Sequence, residues 1–292
     1  VIMAKYLIVN ADDCGMCAAA NQAIFELLEG GFLKSTTIMM PCAFAEEAVQ
    51  YSIAHPEFAM GIHLTMTSEW SDWRWSSLSG GKSLHDDKGY MWHESIDVSK
   101  NAKLDELEAE IRAQVDKALR MGMKPSHLDN HMGSLYGHIG LRFELLKMTL
   151  RVCGEYGYAF RMYKKADKRV QPVGVPYIAY AATAKLGKYW ADKYRVLLPD
   201  YLLFPNWTKE LRSGTYEDYK KHILNIWTNI PDGVTETFIH PVYECDEIKA
   251  ITGSWQDRVW EYQLMKDPET HEYLKQHGIE LISYRDLIAM NK

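Results

Sequence analysis

The apolar run Tyr6–Val9 ends on Asn10, Asp12 and Asp13, and the next apolar positions, Ala20, Ala23, Ile24, Leu27 and Leu28, recur at helical spacing before Gly30 and Gly31 supply a C-cap. Strand then helix is therefore the first unit. The rhythm returns in "STTIMM" followed by "AFAEEAVQYSIAHP", and "FAMGIHLT" adds a third strand whose apolar run ends on His63. Leu104, Leu107, Ile111, Val115 and Leu119 form one amphipathic stripe leading into "SHLDNH". Further on come the helical pattern "LRFELLKMTLRVCGEYG", the short strand "YAFRMY", the helix "YEDYKKHILNIWTNI", the strand "TETFIH" and a final "IELISY". Six or seven βα units emerge, which predicts an α/β fold with a parallel sheet, a (β/α) barrel that is irregular or seven-stranded.

Two stretches break the rhythm. "SEWSDWRWSSLSGGKSLHDDKGYMWHES" (Ser68 to Ser95) is rich in Trp, Ser, Gly and Asp, and "KKADKRVQPVGVPYIAYAATAKLGKYWADKYRVLLPD" carries Pro172 and Pro176 ahead of a helix. We read residues 1–292 as a single barrel domain with loop insertions near 68–100 and 165–206. In such barrels the βα loops lie at the C-terminal strand ends, where active sites form.

Composition narrows the class. The 292 residues are 47% hydrophobic and 25% charged, and no apolar run reaches the roughly 20 residues needed to cross a bilayer. No membrane partner is expected. The N-terminus runs directly into the first strand without a signal-peptide pattern, which predicts a cytoplasmic protein. Five cysteines, an odd number, do not form a disulfide framework in a chain this long. A net charge of −6, with no basic cluster beside aromatics, argues against nucleic acid as partner. A neutral or small substrate fits better, and a homo-oligomer is left open.

Asp12, Asp13, His63, His127 and His240 share one property: each lies at or near the C-terminal end of a predicted strand. Two imidazoles and a carboxylate brought together there can hold one divalent metal ion with positions left for water and substrate. A cation would also relieve the repulsion between Asp12 and Asp13, although an N-cap at a helix start does the same. His127, Asp129 and His131 share one strand face, and one of the three can simply hold another in place. Arg161 is placed either to orient Asp12 or to form a salt bridge at the core edge. "CGMC" (Cys14 to Cys17) has the spacing of a redox pair, but the preceding carboxylates raise a thiol's pKa, which argues against that use. Trp70, Trp73, Trp75 and Trp92 either stack on sugar rings or anchor their loop.

Taken together, "LIVNADDCG", "STTIMMP", "GIHLT", "KPSHLDNHMG", "HPVYECDE" and "ISYRDL" span nearly the whole chain, and in this order they resemble the YdjC family of carbohydrate deacetylases, which includes the diacetylchitooligosaccharide deacetylases. The resemblance implies a NodB-type deacetylase barrel with an Asp-His-His metal site. It implies Asp12 as general base, Asp13, His63 and His127 as ligands of a magnesium, zinc or other transition ion, and His240 as the acid near the reacting group. Asp129, His131 and Arg161 are left as supporting or substrate-facing residues. The chain departs from the family at Cys14, where a Phe is usual, and after His127, where Asn130 replaces a Ser and Met132 a His.

The expected reaction is hydrolysis of an N-acetyl group on a small amino sugar or chitooligosaccharide. Two rivals remain at this level. A two-His-one-carboxylate site also suits a non-haem Fe(II) oxygenase, and a catalytically inactive sugar-binding barrel could carry the Trp-rich loop with structural histidines.

Overall fold

The computed structural model describes residues 4–205 and 207–292; residues 1–3 and Asn206, which closes the second expected insertion, lie outside it. The first apolar run becomes the centre of β1 (Lys5–Cys14), buried from Leu7 onward. Along the chain follow α1 (Ala18–Glu29), β2 (Ser35–Ile38), α2 (Ala45–Ala54), β3 (Ala59–Leu64), α3 (Ser95–Asn101), α4 (Leu104–Arg120), β4 (His127–Asn130), α5 (Glu144–Tyr156) and β5 (Ala159–Phe160). The second half adds α6 (Tyr177–Tyr194), β6 (Tyr201–Leu203), α7 (Lys209–Ser213), α8 (Tyr216–Thr228), β7 (Gly233–Ile239), α9 (Asp246–Ile251), α10 (Trp255–Lys266), α11 (Pro268–Gln276), β8 (Ile279–Leu281) and α12 (Tyr284–Ala289).

The strands are parallel and run in the order β5-β4-β3-β2-β1-β7-β6, with β8 added against β1. β1 is central because it serves three neighbours. β7 follows it from Lys5 to Ala11, β8 takes the opposite edge at Lys5–Leu7, and β2 takes that edge from Asn10 to Cys14. Among the described residues β5 and β6 have no ladder to each other; the Phe160 N–H donates to the Leu197 carbonyl at 3.0 Å, and that of Lys165 to the Asp200 carbonyl at 2.9 Å. The result is a curled half-barrel of parallel strands with helices, the irregular (β/α) architecture expected from the sequence.

Local chemistry explains the element ends. α1 buries Ala20, Ala23, Ile24, Leu27 and Leu28, and Gly31 at φ 73° lets the Phe32 N–H return to the Leu27 carbonyl, so the helix closes there. α5 stops in the same way at Gly157, φ 79°. Fully burying each such Leu or Ile stabilises the fold by roughly 1.5–3 kcal/mol.

In α4 the buried stripe is Leu107, Ile111, Val115 and Ala118, while Leu119, expected inside, is 38% exposed. The buried face also carries Glu110 and Gln114, and they have partners. Gln114 exchanges hydrogen bonds with the Thr65 backbone at 2.7 and 2.9 Å, and Glu110 accepts the N–H groups of Leu78 and Ser79 at 3.0 and 2.7 Å. This polar pair pins the Trp-rich segment onto the barrel. Among the described residues no helix is long and apolar enough to cross a membrane.

Candidate active site

The two adjacent aspartates reach the same pocket through a backbone irregularity. Ala11 pairs with Thr36 and Cys14 with Ile38, so two residues of β1 face one of β2, and Asp13 adopts φ 62° in the left-handed region. A regular strand would send neighbouring side chains to opposite faces; the bulge re-aims one of them. Both Asp12 and Asp13 therefore line a cavity of about 410 Å³, together with His63, His131, Arg161 and His240.

The carboxylates then diverge. Asp12 is held by Arg161 through two hydrogen bonds, 2.7 and 2.6 Å, and by the Asn10 amide at 2.8 Å. Arg161 stands just past β5 and is itself tied to Glu236 at 2.7 Å and Asp129 at 2.8 Å. So the Arg161 contact is both things at once, the orienter of Asp12 and a buried ion-pair centre. Burial raises the Glu236 carboxyl to about 7, with the Arg161 charge pulling the other way.

Asp13 offers one oxygen to Arg258 at 2.8 Å, while its Oδ1 is buried without a hydrogen-bond partner among the described residues. Burial raises this carboxyl, yet Arg258 and His131 draw it well below the usual carboxylate range. The orphan oxygen faces His63 Nε2 at 3.5 Å and His131 Nδ1 at 3.3 Å, and those two nitrogens are 3.2 Å apart. Each imidazole has its far nitrogen on a carboxylate: His63 Nδ1 on Asp129 at 2.7 Å, and His131 Nε2 on Glu69 at 3.0 Å. Such partners fix which nitrogen carries the proton and aim the other lone pair inward. An unpartnered buried oxygen and two inward lone pairs fit one cation, so Asp13, His63 and His131 can hold a metal ion. Asp12, His63 and Asp129 also cluster, but both carboxylates of that set are already neutralised by Arg161.

His127 is not part of this group. Its Nδ1 meets Ser126 at 2.9 Å, its Nε2 meets Asn10 at 3.2 Å, and its ring stacks on Tyr284 with centroids 3.6 Å apart. Burial among these neutral groups pushes its pKa down to about 3. The position expected to supply the second imidazole ligand therefore packs into the interior, and His131, expected as a supporting residue, stands beside Asp13 and His63. The reason is a change of direction: β4 ends at Asn130, and the following turn, with Met132 at φ 52° and Gly133 at φ 62°, swings His131 over the mouth. Gly61 on β3 lets His127 sit so deep, since a Cβ there would lie 2.4 Å from the His127 carbonyl oxygen.

His240 follows β7 at the pocket rim, its backbone N–H donating to Glu261 at 2.6 Å and its Nδ1 3.6 Å from the same carboxylate. Burial lowers the imidazole pKa, but the Glu261 contact and the Asp13 charge outweigh it, and the net shift is upward. Of the four loop tryptophans, Trp70 lines the pocket. The indoles of Trp73, Trp75 and Trp92 donate to the carbonyls of Met16, Thr67 and Ser83, so they anchor the loop. Cys14 and Cys17 are buried free thiols, and burial raises both, Cys17 to about 11, away from the thiolate form that redox exchange uses.

Residues 6–276 match the YdjC-like protein family. The chain belongs to this family. Curated relatives include a carbohydrate deacetylase of Thermoanaerobacter pseudethanolicus, 25% identical over 96% of this chain and 98% of the relative, and one of Geobacillus stearothermophilus, 25% identical over 99% and 100%. A solved structure from Enterococcus faecalis V583, described as a cellobiose-phosphate cleavage protein, superposes with a TM-score of 0.75 at 26% identity, covering 97% of this chain and 99% of that one. Within this YdjC chain, sequence reasoning missed Glu69, Arg258 and Glu261. Glu69 is in the Trp-rich insertion, and the other two are buried charged residues on α10 whose partners come from β1 and the end of β7. A single sequence carries no signal for such long-range pairs.

Proposed function

We propose that the chain is a metal-dependent carbohydrate deacetylase that hydrolyses the N-acetyl amide of a small amino sugar or short chitooligosaccharide. The observation that carries this reading is the Asp13 Oδ1, without a hydrogen-bond partner among the described residues, facing two inward imidazole nitrogens beside an Asp12 that Arg161 neutralises and whose Oδ2 lies 3.9 Å from His63 Nε2. Asp13, His63 and His131 would hold the ion. Two imidazoles and one carboxylate suit Zn²⁺ or another transition ion better than Mg²⁺, which prefers oxygen donors. When bound, such an ion supplies Lewis acidity toward the amide carbonyl and acidifies water.

The chain's own groups complete the reaction. Asp12, locked in one orientation, accepts the proton of the attacking water, a role general bases fill at about 10²–10⁴-fold benefit. Water adds to the carbonyl carbon, the C–N bond breaks, and acetate departs. His240, biased toward its protonated form by Glu261 and Asp13, donates to the leaving amine nitrogen. Trp70 and Phe238 supply ring faces at the pocket wall for the sugar.

Incubation of the Zn²⁺-loaded protein with mono-, di- and tri-N-acetylglucosamine, followed by mass spectrometry, tests the reading. Loss of one acetyl with the chain length unchanged, independent of oxygen, is expected. Shortened chains would indicate a glycosidase, oxygen-dependent products an oxygenase, and unchanged sugars a binding protein.

A further inference from the structure

A second cavity, about 700 Å³, adjoins the catalytic one, and Tyr136, His138 and Phe204 line both. Whatever occupies it lies next to the reacting sugar. Its wall is mainly aliphatic, with Leu141, Met162, Val170, Val173, Leu203 and Ile226 among the lining residues. Among the described lining residues the charged side chain is Arg169, and it is already paired with Asp167 at 2.9 and 2.7 Å. Its rim carries exposed apolar groups as well: Leu141 and Val173 are each 77% exposed. Glycan rings need polar partners around their hydroxyls, whereas a wall of this composition gains most by burying hydrocarbon.

We infer that this cavity is a subsite for an apolar aglycone, an alkyl or aryl group attached to the N-acetylated sugar. The inference rests on the deacetylase reading for the sugar itself. The metal donors lie in the catalytic cavity and are absent from the walls of the apolar one, so the sugar with its acetyl group fills the first and the aglycone runs past Tyr136 and Phe204 into the second.

The test compares methyl and octyl β-glycosides of N-acetylglucosamine with the Zn²⁺-loaded chain, by calorimetric binding and by acetate release. Each buried methylene strengthens binding by about fourfold before ordering costs, so the octyl glycoside is expected to bind at least roughly 30-fold more tightly. Ala179→Trp, which fills the cavity from α6, and Val173→Asp, which puts a charge on its rim, should each erase that gain and leave the methyl glycoside unchanged. Both positions are exposed, so the fold tolerates them. Equal binding of the two glycosides overturns the inference. So does a larger gain from di-N-acetylchitobiose, which would make the cavity a glycan subsite, or from an N-octanoyl methyl glycoside, which would make it an acyl pocket. If the octyl glycoside binds more tightly but no acetate is released from either, the subsite stands and the deacetylase reading falls.

Discussion

The two ends of β4 each bring a histidine into the barrel, and their surroundings are opposite. At the start, His127 touches neutral groups, Ser126, Asn10 and the face of Tyr284, and burial lowers its pKa to about 3. Just past the end, His131 is equally buried, yet it lies between Glu69 and Asp13; burial lowers its pKa, and the two carboxylates outweigh that, up to about 10. A buried imidazole set between two carboxylates, one of them with an oxygen free of hydrogen bonds among the described residues, is the environment a cation fits. One with neutral partners at both nitrogens marks packing.

The strongest way to break this comparison is to remove the histidines one at a time. His131→Ala and His63→Ala should lose the bound ion and lower turnover by about 10³-fold or more, since the cation contributes several kcal/mol to the transition state. His127→Ala should keep one ion per chain while lowering stability by about 2–4 kcal/mol through the cavity left against Tyr284. Metal analysis of the folded variants decides it; an His127→Ala chain without the ion, beside an His131→Ala chain that retains it, would reverse the assignment.

Asp12→Asn sharpens the contrast between neighbouring carboxylates. The ion should stay and turnover fall by about 10²–10⁴-fold, because the proton acceptor is gone and the ligand oxygen of Asp13 is untouched. A drop smaller than about tenfold would remove Asp12 from the chemistry.

Glu69→Gln should act more mildly. It keeps the side-chain shape but removes the charge behind His131 Nε2, so metal affinity measured by competition with a chelator should weaken by about 10–100-fold. Unchanged affinity would show that the carboxylate does not support the ligand.

A separate readout of the same contrast is the pH dependence of stability in the metal-stripped chain. His127 has a folded pKa of about 3 against an ordinary 6.5, so its contribution is full above about 6.5 and is lost as pH falls toward 3. His131 has a folded pKa of about 10, so its contribution is full below 6.5 and is lost as pH rises toward 10. Urea unfolding across this range should therefore show His127→Gln flattening the acid limb and His131→Gln the alkaline limb, each by at most about 1.4 kcal/mol per pH unit for one proton. Exchanged limbs would contradict the environments described for the two rings.

Much of the site was legible along the chain because strand-end chemistry is local. "LIVNADDCG" and "GIHLT" put Asp12, Asp13 and His63 at the ends of apolar runs, and parallel strands bring such ends together. Arg161 follows "YAF" for the same reason, and the structure carries its guanidinium onto Asp12. "SHLDNH" gave two histidines four apart, and choosing between them needed the point at which β4 stops. That point depends on the left-handed turn at Met132 and Gly133, which periodicity does not reveal. The four tryptophans looked alike in a polar loop, and only their hydrogen bonds separate the three anchors from Trp70 at the pocket wall.

Hydrophobic periodicity alone was enough for the succession of strands and helices, the parallel sheet and the rim on which the chemistry gathers, because burial of an apolar face is encoded every two or every three to four residues. Pairing across the barrel is not encoded that way. Whether Asp13 is left with an open oxygen, whether Glu69 reaches His131, and whether Arg258 and Glu261 on α10 meet the ends of β1 and β7 depend on how distant segments close on one another. The charge environment of a buried side chain is a sum over neighbours in space, and it comes into being only when the tertiary structure removes the water between them.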